Sequence, residues 1–245
     1  MNTSFADIEK KENRKDLIIS ICVFLSGFSC FAQLYYFQPL LPDLAKDFIL
    51  SASESSFAIS FSTLGMVFGL FTTMFVADRI PRKKMIGTGL LSSSIFSVAA
   101  SFSPTFLPLI LLSAAKGFLL SGATSVSMAY IAEEVSSRNK GKIMGLYIAG
   151  NALGGMAGRV ISSWIGALYT WRIASVSIGL ICALFAILFL LFSPRSTNFM
   201  PRKESFHTLI IANLQLITSK ALIPFYLTGG LILGVFVSLY NYLGF

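Results

Sequence analysis

Residues 74–86, Met-Phe-Val-Ala-Asp-Arg-Ile-Pro-Arg-Lys-Lys-Met-Ile, hold one acid and four bases within seven positions, between two long apolar runs. The charged residues of this stretch are Asp78, Arg79, Arg82, Lys83 and Lys84. Positive charge near the ends of membrane spans keeps a short loop on the cytoplasmic side. The stretch therefore predicts a cytoplasmic loop that joins two transmembrane helices.

The composition indicates an integral membrane protein. Hydrophobic residues make up 55% of the 245 residues and charged residues 12%, and mean hydropathy is +0.75, whereas soluble domains carry about 25% charged residues. The net charge is +8, but the bases lie between apolar runs rather than in a separate basic domain. This distribution points to the lipid bilayer and to topology, and it argues against a nucleic-acid partner.

The sequence offers no constellation for catalysis or metal binding. Cys22, Cys30 and Cys182 lie inside apolar runs, where cysteine acts as a small hydrophobic residue, and their spacing fits neither a metal site nor a disulfide framework. No nucleophile, base and orienting group occur together, so we expect no enzyme, no metal and no cofactor. A retinal receptor is disfavoured because residues 222–245 contain no lysine and residues 85–103 no acid.

Seven apolar runs are long enough to cross a hydrocarbon core of about 30 Å. The predicted spans are residues 17–37, 57–77, 85–102, 106–132, 143–165, 173–192 and 221–245. Fifteen of the nineteen Lys and Arg residues lie on one side: four in the N-terminal segment, four in the second loop, three in the fourth and four in the sixth. This bias predicts a multi-pass membrane protein with a cytoplasmic N-terminus.

These spans predict four segments. Residues 1–16 form a cytoplasmic N-terminal segment, 17–192 a six-helix bundle, 193–220 a cytoplasmic linker, and 221–245 a seventh transmembrane helix. Apolar residues at helical spacing predict an amphipathic surface helix within the linker: Phe206, Leu209, Ile210, Leu214 and Ile217. His207, the only histidine, is expected to be a surface residue.

Glycines give a weak internal repeat. Gly65 and Gly69 lie four residues apart in the second span, and Gly150, Gly154 and Gly158 recur every four residues in the fifth. This spacing lets helix backbones approach closely in lipid. The second and fifth spans are equivalent if the bundle consists of two inverted three-helix repeats, as in many transporters. The alternative is that glycine is simply common in membrane spans.

Several motifs resemble those of the major facilitator superfamily. Its loop between the second and third spans reads Gly-x-Leu-Ala-Asp-Arg-x-Gly-Arg-Lys, and matching positions are Val76, Ala77, Asp78, Arg79, Arg82 and Lys83. Residues 150–159, Gly-Asn-Ala-Leu-Gly-Gly-Met-Ala-Gly-Arg, resemble its antiporter motif. Its Arg-x-x-Gln-Gly motif, whose arginine is associated with proton coupling, corresponds to residues 113–117, with Ser113 in the place of arginine.

The resemblance implies an all-α facilitator fold of the bacterial twelve-span drug or sugar efflux type. Such transporters have two six-helix halves and about 400 residues, whereas this chain has 245. We therefore expect the first half plus one helix of a truncated transporter, from an interrupted or split reading frame. The implied function is secondary efflux of a small solute. The alternative is a non-transporting remnant, or a partner subunit that acts only with a separately encoded second half.

Strongly polar groups within spans are costly and therefore mark candidate functional residues. Lys116 lies near the middle of the fourth span and is the main candidate for contact with a polar or anionic substrate. The other substrate candidates lie on the first and seventh spans: Gln33, Tyr35, Tyr36, Tyr240 and Asn241. The alternatives are a structural lysine and aromatic residues that only anchor the helix ends in the interface.

The conformational candidates come from the charged loop and the glycine motif. They are Asp78, Arg79, Arg82, Lys83, Gly150, Gly154 and Gly158. Two charged groups near the outer side complete the set, because Asp43 follows the first span and Arg159 lies far along the fifth. An arginine at that depth needs a partner or must snorkel. We expect Asp43 and Arg159 to pair and to help close the cavity outward.

Overall fold

The computed structural model describes residues 5–201, 215–216 and 218–242, and no strand occurs among them. It forms two compact units, one up to Pro201 and the other from Arg202. The first unit contains eight α-helices: α1 (Phe5–Tyr35), α2 (Leu41–Phe48), α3 (Ala52–Ser55), α4 (Phe57–Val76), α5 (Arg82–Ser101), α6 (Phe106–Glu134), α7 (Lys140–Leu168) and α8 (Trp171–Phe192). The described part of the second unit contains α9 (Ile223–Tyr242).

Six helices of the first unit, α1 and α4 to α8, coincide with the first six predicted spans, and α9 coincides with the seventh. Among the described residues, four helical stretches are long and apolar enough to cross a membrane by length and composition alone: Lys10–Phe48, Ala52–Arg79, Phe106–Glu134 and Trp171–Phe192. Helices α5 and α7 are not in that set, and each carries three basic residues: Arg82, Lys83 and Lys84 in α5, and Lys140, Lys142 and Arg159 in α7. The all-α membrane fold is thus confirmed.

The bundle has two ends with different chemistry. Helices α1, α5 and α7 begin at the end that carries the charged loop, and Lys15 of α1 there contacts Glu134 at the end of α6. We call this the basic end. Helices α4, α6 and α8 begin at the opposite, far end, where the short α2 and α3 lie. In α3 the hydroxyl of Ser51 caps the helix by accepting from the Glu54 N–H.

Glycines allow the helices of two pairs to pack with their backbones in close contact. Helix α1 packs along α7 and α4 packs along α6. A Cβ atom on Gly154 would clash with the backbone of Phe28 in α1, and one on Gly65 would clash with the backbone of Ala114 in α6. Gly154 and Gly158 follow Gly65 and Gly69 by the same interval of 89 residues. The α1–α7 and α4–α6 contacts are therefore equivalent, as expected of two inverted three-helix repeats.

The predicted amphipathic linker helix cannot be compared with the structure. Its apolar residues Phe206, Leu209, Ile210, Leu214 and Ile217 lie outside the described residues, and so does His207.

We predict that Gly154→Ala destabilises the bundle because the new methyl group meets the Phe28 backbone rather than a movable side chain. Overpacking of this kind costs about 1–3 kcal/mol. Gly145→Ala in the same helix is the matched control, since nothing lies within 4 Å of its Cβ position, and alanine there favours the helix by about 0.5–1 kcal/mol. Thermal unfolding in detergent measures both variants, and equal melting temperatures would contradict the prediction.

Candidate functional site

Lys116 lies in the interior of the bundle. Its residue exposure is 1%, and its Nζ atom lies 4.5 Å from the ring centre of Tyr36 and 4.9 Å from that of Phe37. No hydrogen-bond partner for Nζ occurs in the described part of the chain. The two aromatic faces stabilise an ammonium group by cation–π attraction, worth about 2 kcal/mol in a desolvated place. The lysine still retains unused hydrogen-bond donors.

A chain of buried polar groups continues from Tyr36. The Tyr36 hydroxyl lies 2.9 Å from Ser175 Oγ, and Ser175 Oγ donates to the carbonyl oxygen of Ser97. Ser97 Oγ donates in turn to Gln33 Oε1 at 3.2 Å. The network therefore connects α1, α5 and α8 beside the lysine of α6.

Several buried polar groups of this interior have no hydrogen-bond partner among the described residues. They are Lys116 Nζ and Gln33 Nε2, which can only donate, and the hydroxyls of Ser29 and Ser113, which can donate or accept. Each unsatisfied buried group costs about 1–3 kcal/mol, and such groups normally bind ordered water or a ligand. The arrangement is chemically suited to an acceptor such as water, a carboxylate or a hydroxyl group.

Three of the predicted substrate residues therefore meet in one network, namely Lys116, Gln33 and Tyr36. Sequence reasoning missed Ser97 and Ser175. The available signal was the serine periodicity of the third span, where the recurring residues are Ser93, Ser94, Ser97 and Ser101. The side chains of Tyr240 and Asn241 in α9 lie outside the described part of the structure.

Tyr35 belongs to a different contact. Its ring centre lies 4.6 Å from the Arg159 guanidinium carbon, and Arg159 also donates to Gln38 Oε1 and to the Gly155 carbonyl. Arg159 therefore has acceptors in Gln38 and in the Gly155 carbonyl, and its pairing with Asp43 stays a prediction. Gln38 begins a short 3-10 turn directly after the first span, which places its amide within hydrogen-bond reach of Arg159.

Asp43 lies in a cleft at the far end of the bundle. This cleft has a volume of about 370 Å³, and its other charged lining residues are Lys46, Asp47 and Arg172. Asp47 accepts from Trp171 Nε1 at 2.9 Å and from Arg172 at 3.1 Å. Arg172 also donates to the carbonyl of Ser101, the last residue of α5, and to the carbonyl of Ser103 just after it. The far end is thus closed by a clamp between α2, α5 and α8.

The charged loop forms a second clamp at the basic end, centred on Arg82. This residue is 7% exposed and pairs with Asp78 at 2.8 Å and with Glu133 of α6 at 3.0 Å. It also donates to the Ala77 carbonyl. Arg79 lies in the adjoining 3-10 turn Ala77–Arg79. Asp78 therefore finds its partner within the loop itself.

The two clamps reflect the internal repeat. Arg82 begins α5 and Arg172 lies in the first turn of α8, and they are 90 residues apart. Each arginine binds an acid from another helix, Glu133 in α6 and Asp47 in α2. No group of three or more potential metal ligands occurs within the described ranges.

A bundle of spanning helices that meet through glycines around a buried polar network is the architecture of a multi-pass helical membrane protein. The chain belongs to the Major Facilitator Superfamily, whose sequence profile matches residues 20–245. Among solved structures, a peptide transporter POT in complex with sulfate superimposes with a TM-score of 0.66 at 14% identity, over 90% of this chain and 49% of that chain. That likeness confirms the facilitator fold.

Curated relatives are transporters as well. An uncharacterized transporter of Buchnera aphidicola is 35% identical, covering 97% of this chain and 58% of its own length. The inner membrane transport protein YnfM of Escherichia coli is 36% identical, covering 93% and 54%. The Bacillus subtilis transporter YybF is 32% identical, covering 92% and 56%. These relatives support a multi-pass inner-membrane protein, and the chain spans little more than half of their length.

We predict that Asp78→Asn changes stability by no more than about 1 kcal/mol, because the Asp78 side chain is 39% exposed and exposed ion pairs contribute little. Arg82→Gln removes the hydrogen bonds to Asp78, Glu133 and Ala77 together, and it should cost about 1–3 kcal/mol. Thermal unfolding of the two variants in detergent compares them directly. A larger loss for Asp78→Asn than for Arg82→Gln would refute this ranking.

Proposed function

We propose that this chain provides the N-terminal half, with one further helix, of a secondary transporter that exports a small solute such as a drug or a sugar. The observation that carries the proposal is Lys116, a buried cation on a spanning helix without a hydrogen-bonding partner in the described structure. Charged residues at such depth are costly and mark transport pathways. Membership of a transporter family supports the same function.

In this proposal Lys116 binds a polar or anionic group of the solute, and Gln33 of α1 and Tyr36, which directly follows α1, add hydrogen bonds. Tyr35, Tyr240 and Asn241 stay proposed substrate residues, for stacking and hydrogen bonding to the solute. Because the rings of Tyr36 and Phe37 cover the Lys116 amine, the solute reaches it only when these rings move. Binding is thereby coupled to a conformational change, as alternating access requires.

The residues of the charged loop and the glycine motif have conformational roles here. Arg82 holds Asp78 at the basic end, with Arg79 and Lys83 beside it, and Gly150, Gly154 and Gly158 keep α7 close to α1. At the far end, Arg159 and Asp43 are proposed to pair and to help close the outer side.

A second function has support from the length of the relatives. The chain covers 54–58% of the transporters just described, and large apolar side chains are exposed on α4 and α7, among them Phe68, Phe71, Val160 and Trp164. A chain of this kind acts only in association with a second half, whether separately encoded or not. Alone it is then a non-transporting remnant or partner subunit.

A transport assay in proteoliposomes distinguishes these two proposed functions. We expect no transport by the chain alone, and export of at least one probe when it is co-reconstituted with the remaining part of the Escherichia coli relative. Suitable probes are ethidium, labelled glucose and labelled benzoate. Activity of the isolated chain would contradict the requirement for a second half. Absence of activity in both preparations would favour the remnant.

Lys116→Met tests the role of the lysine in the active preparation. An apolar side chain of similar length removes an uncompensated buried charge, so the bundle should retain its stability, whereas export should fall at least tenfold. Lys142→Met is the matched control, because Lys142 is exposed at the start of α7 and its loss should leave export unchanged. If the Lys116→Met variant exports the probe at the full rate, Lys116 has no role in the transport pathway.

Membrane orientation follows from the distribution of bases, and we propose that the basic end faces the cytoplasm. The three native cysteines are buried and give a low labelling background. An impermeant maleimide should label Ser53→Cys at the far end in intact cells, and Glu12→Cys at the basic end only after permeabilisation. The reverse pattern would invert the topology.

A further inference from the structure

The segment that follows α8 lies across the basic end of the bundle. We call residues 193–199 the strap. Ser193 is 2% exposed, and its Oγ atom lies 2.8 Å from the Tyr130 hydroxyl, which also donates to the Pro194 carbonyl at 2.8 Å. The strap is therefore attached to α6 from its first residue.

Glu134, the last residue of α6, provides the central attachment. Its side chain is fully buried and pairs with Lys15 of α1 at 2.9 Å. The same carboxylate accepts from the Thr197 hydroxyl at 2.8 Å and from the Asn198 backbone N–H at 2.7 Å. Hydrogen bonds to an ionised acceptor are roughly twice as strong as neutral ones. One buried carboxylate thus joins α1, α6 and the strap.

The strap also contacts the charged loop directly. Lys83 Nζ donates to the Ser193 carbonyl, and the Lys83 backbone N–H donates to Ser196 Oγ. The Phe199 ring centre lies 4.9 Å from the guanidinium carbon of Arg82. Arg82 in turn holds Asp78 and Glu133. A displacement of the strap would therefore act on the residue that organises the basic clamp.

We propose that Glu134 is a latch that holds the strap on the bundle and thereby fixes the position of Arg82 in the charged loop. With the latch closed, α1, the charged loop and the strap move as one body. When Glu134 releases Thr197 and Asn198, the strap keeps its contacts to Tyr130, the charged loop and the Glu133 carbonyl. This device lies within the first unit, and it does not depend on which solute is transported.

The neighbouring acids Glu133 and Glu134 allow a matched test. Both substitutions to alanine remove one carboxylate at the same helix end, but only Glu134 binds the strap through its side chain. Glu133 contacts the strap through its backbone carbonyl, which accepts from Asn198 Nδ2 and remains after substitution.

Trypsin cleavage after Arg195 measures release of the strap in the purified chain in detergent, because proteolysis of an anchored segment requires local opening. We expect cleavage to accelerate at least tenfold in Glu134→Ala and less than twofold in Glu133→Ala, with Arg195→Gln identifying the product. Equal acceleration in both variants, or none in Glu134→Ala, would overturn the latch.

Asn198→Pro provides a second test if Glu134→Ala fails to fold. Proline removes the backbone donor to Glu134 together with the Asn198 Nδ2 donor to the Glu133 carbonyl, and it leaves every helix of the bundle unchanged in sequence. Faster cleavage after Arg195 supports the latch, provided that the melting temperature stays within a few degrees of the parent chain. Cleavage at the parent rate in a folded Asn198→Pro protein refutes it.

Discussion

Close approach of helix backbones is the constraint on which the rest of this structure depends. In hydrocarbon, helices gain little from burying apolar side chains against one another, so association relies on tight packing and interhelical hydrogen bonds. Here Gly154 rests on the backbone of Phe28 and Gly65 on that of Ala114. These contacts set the distances between α1 and α7 and between α4 and α6. They consequently determine how much space remains for Lys116, Tyr36 and their neighbours.

The charges of the bundle follow from the same environment. Ion pairs occur where the helices end, with Arg82 and Glu133 at one end and Arg172 and Asp47 at the other. At these places water lowers the cost of charge, and a pair fixes adjacent helix ends without burying an isolated ion. The two arginines are 90 residues apart, and each repeat thus carries one such ion pair at the start of its last helix. Lys116 is an exception, because it is buried in the interior of the bundle rather than paired at a helix end.

The sequence was sufficient to predict the spans, the basic end and the glycine repeat, because these depend on patterns along a single helix. It did not reveal which side chains face one another across helices. Tyr35 and Tyr36 are neighbours in sequence, but about 100° of helical rotation separates them. One therefore stacks on Arg159 and the other on Lys116. Similarly, the acceptor for Arg159 depends on the 3-10 turn at Gln38, for which the apolar pattern gives no signal.

The position of Lys116 also bears on the motif in the fourth span that lacks its arginine. Ser113 occupies the arginine position, and Lys116 follows it by three residues, which places both on one face of α6. Both are about 1% exposed, and neither Ser113 Oγ nor Lys116 Nζ has a hydrogen-bond partner in the described structure. A cation is thus retained in the bundle, one helical turn closer to the basic end. Lysine is a compact point charge, without the planar, bidentate geometry of arginine. The interior consequently offers a single compact donor group, held against the rings of Tyr36 and Phe37.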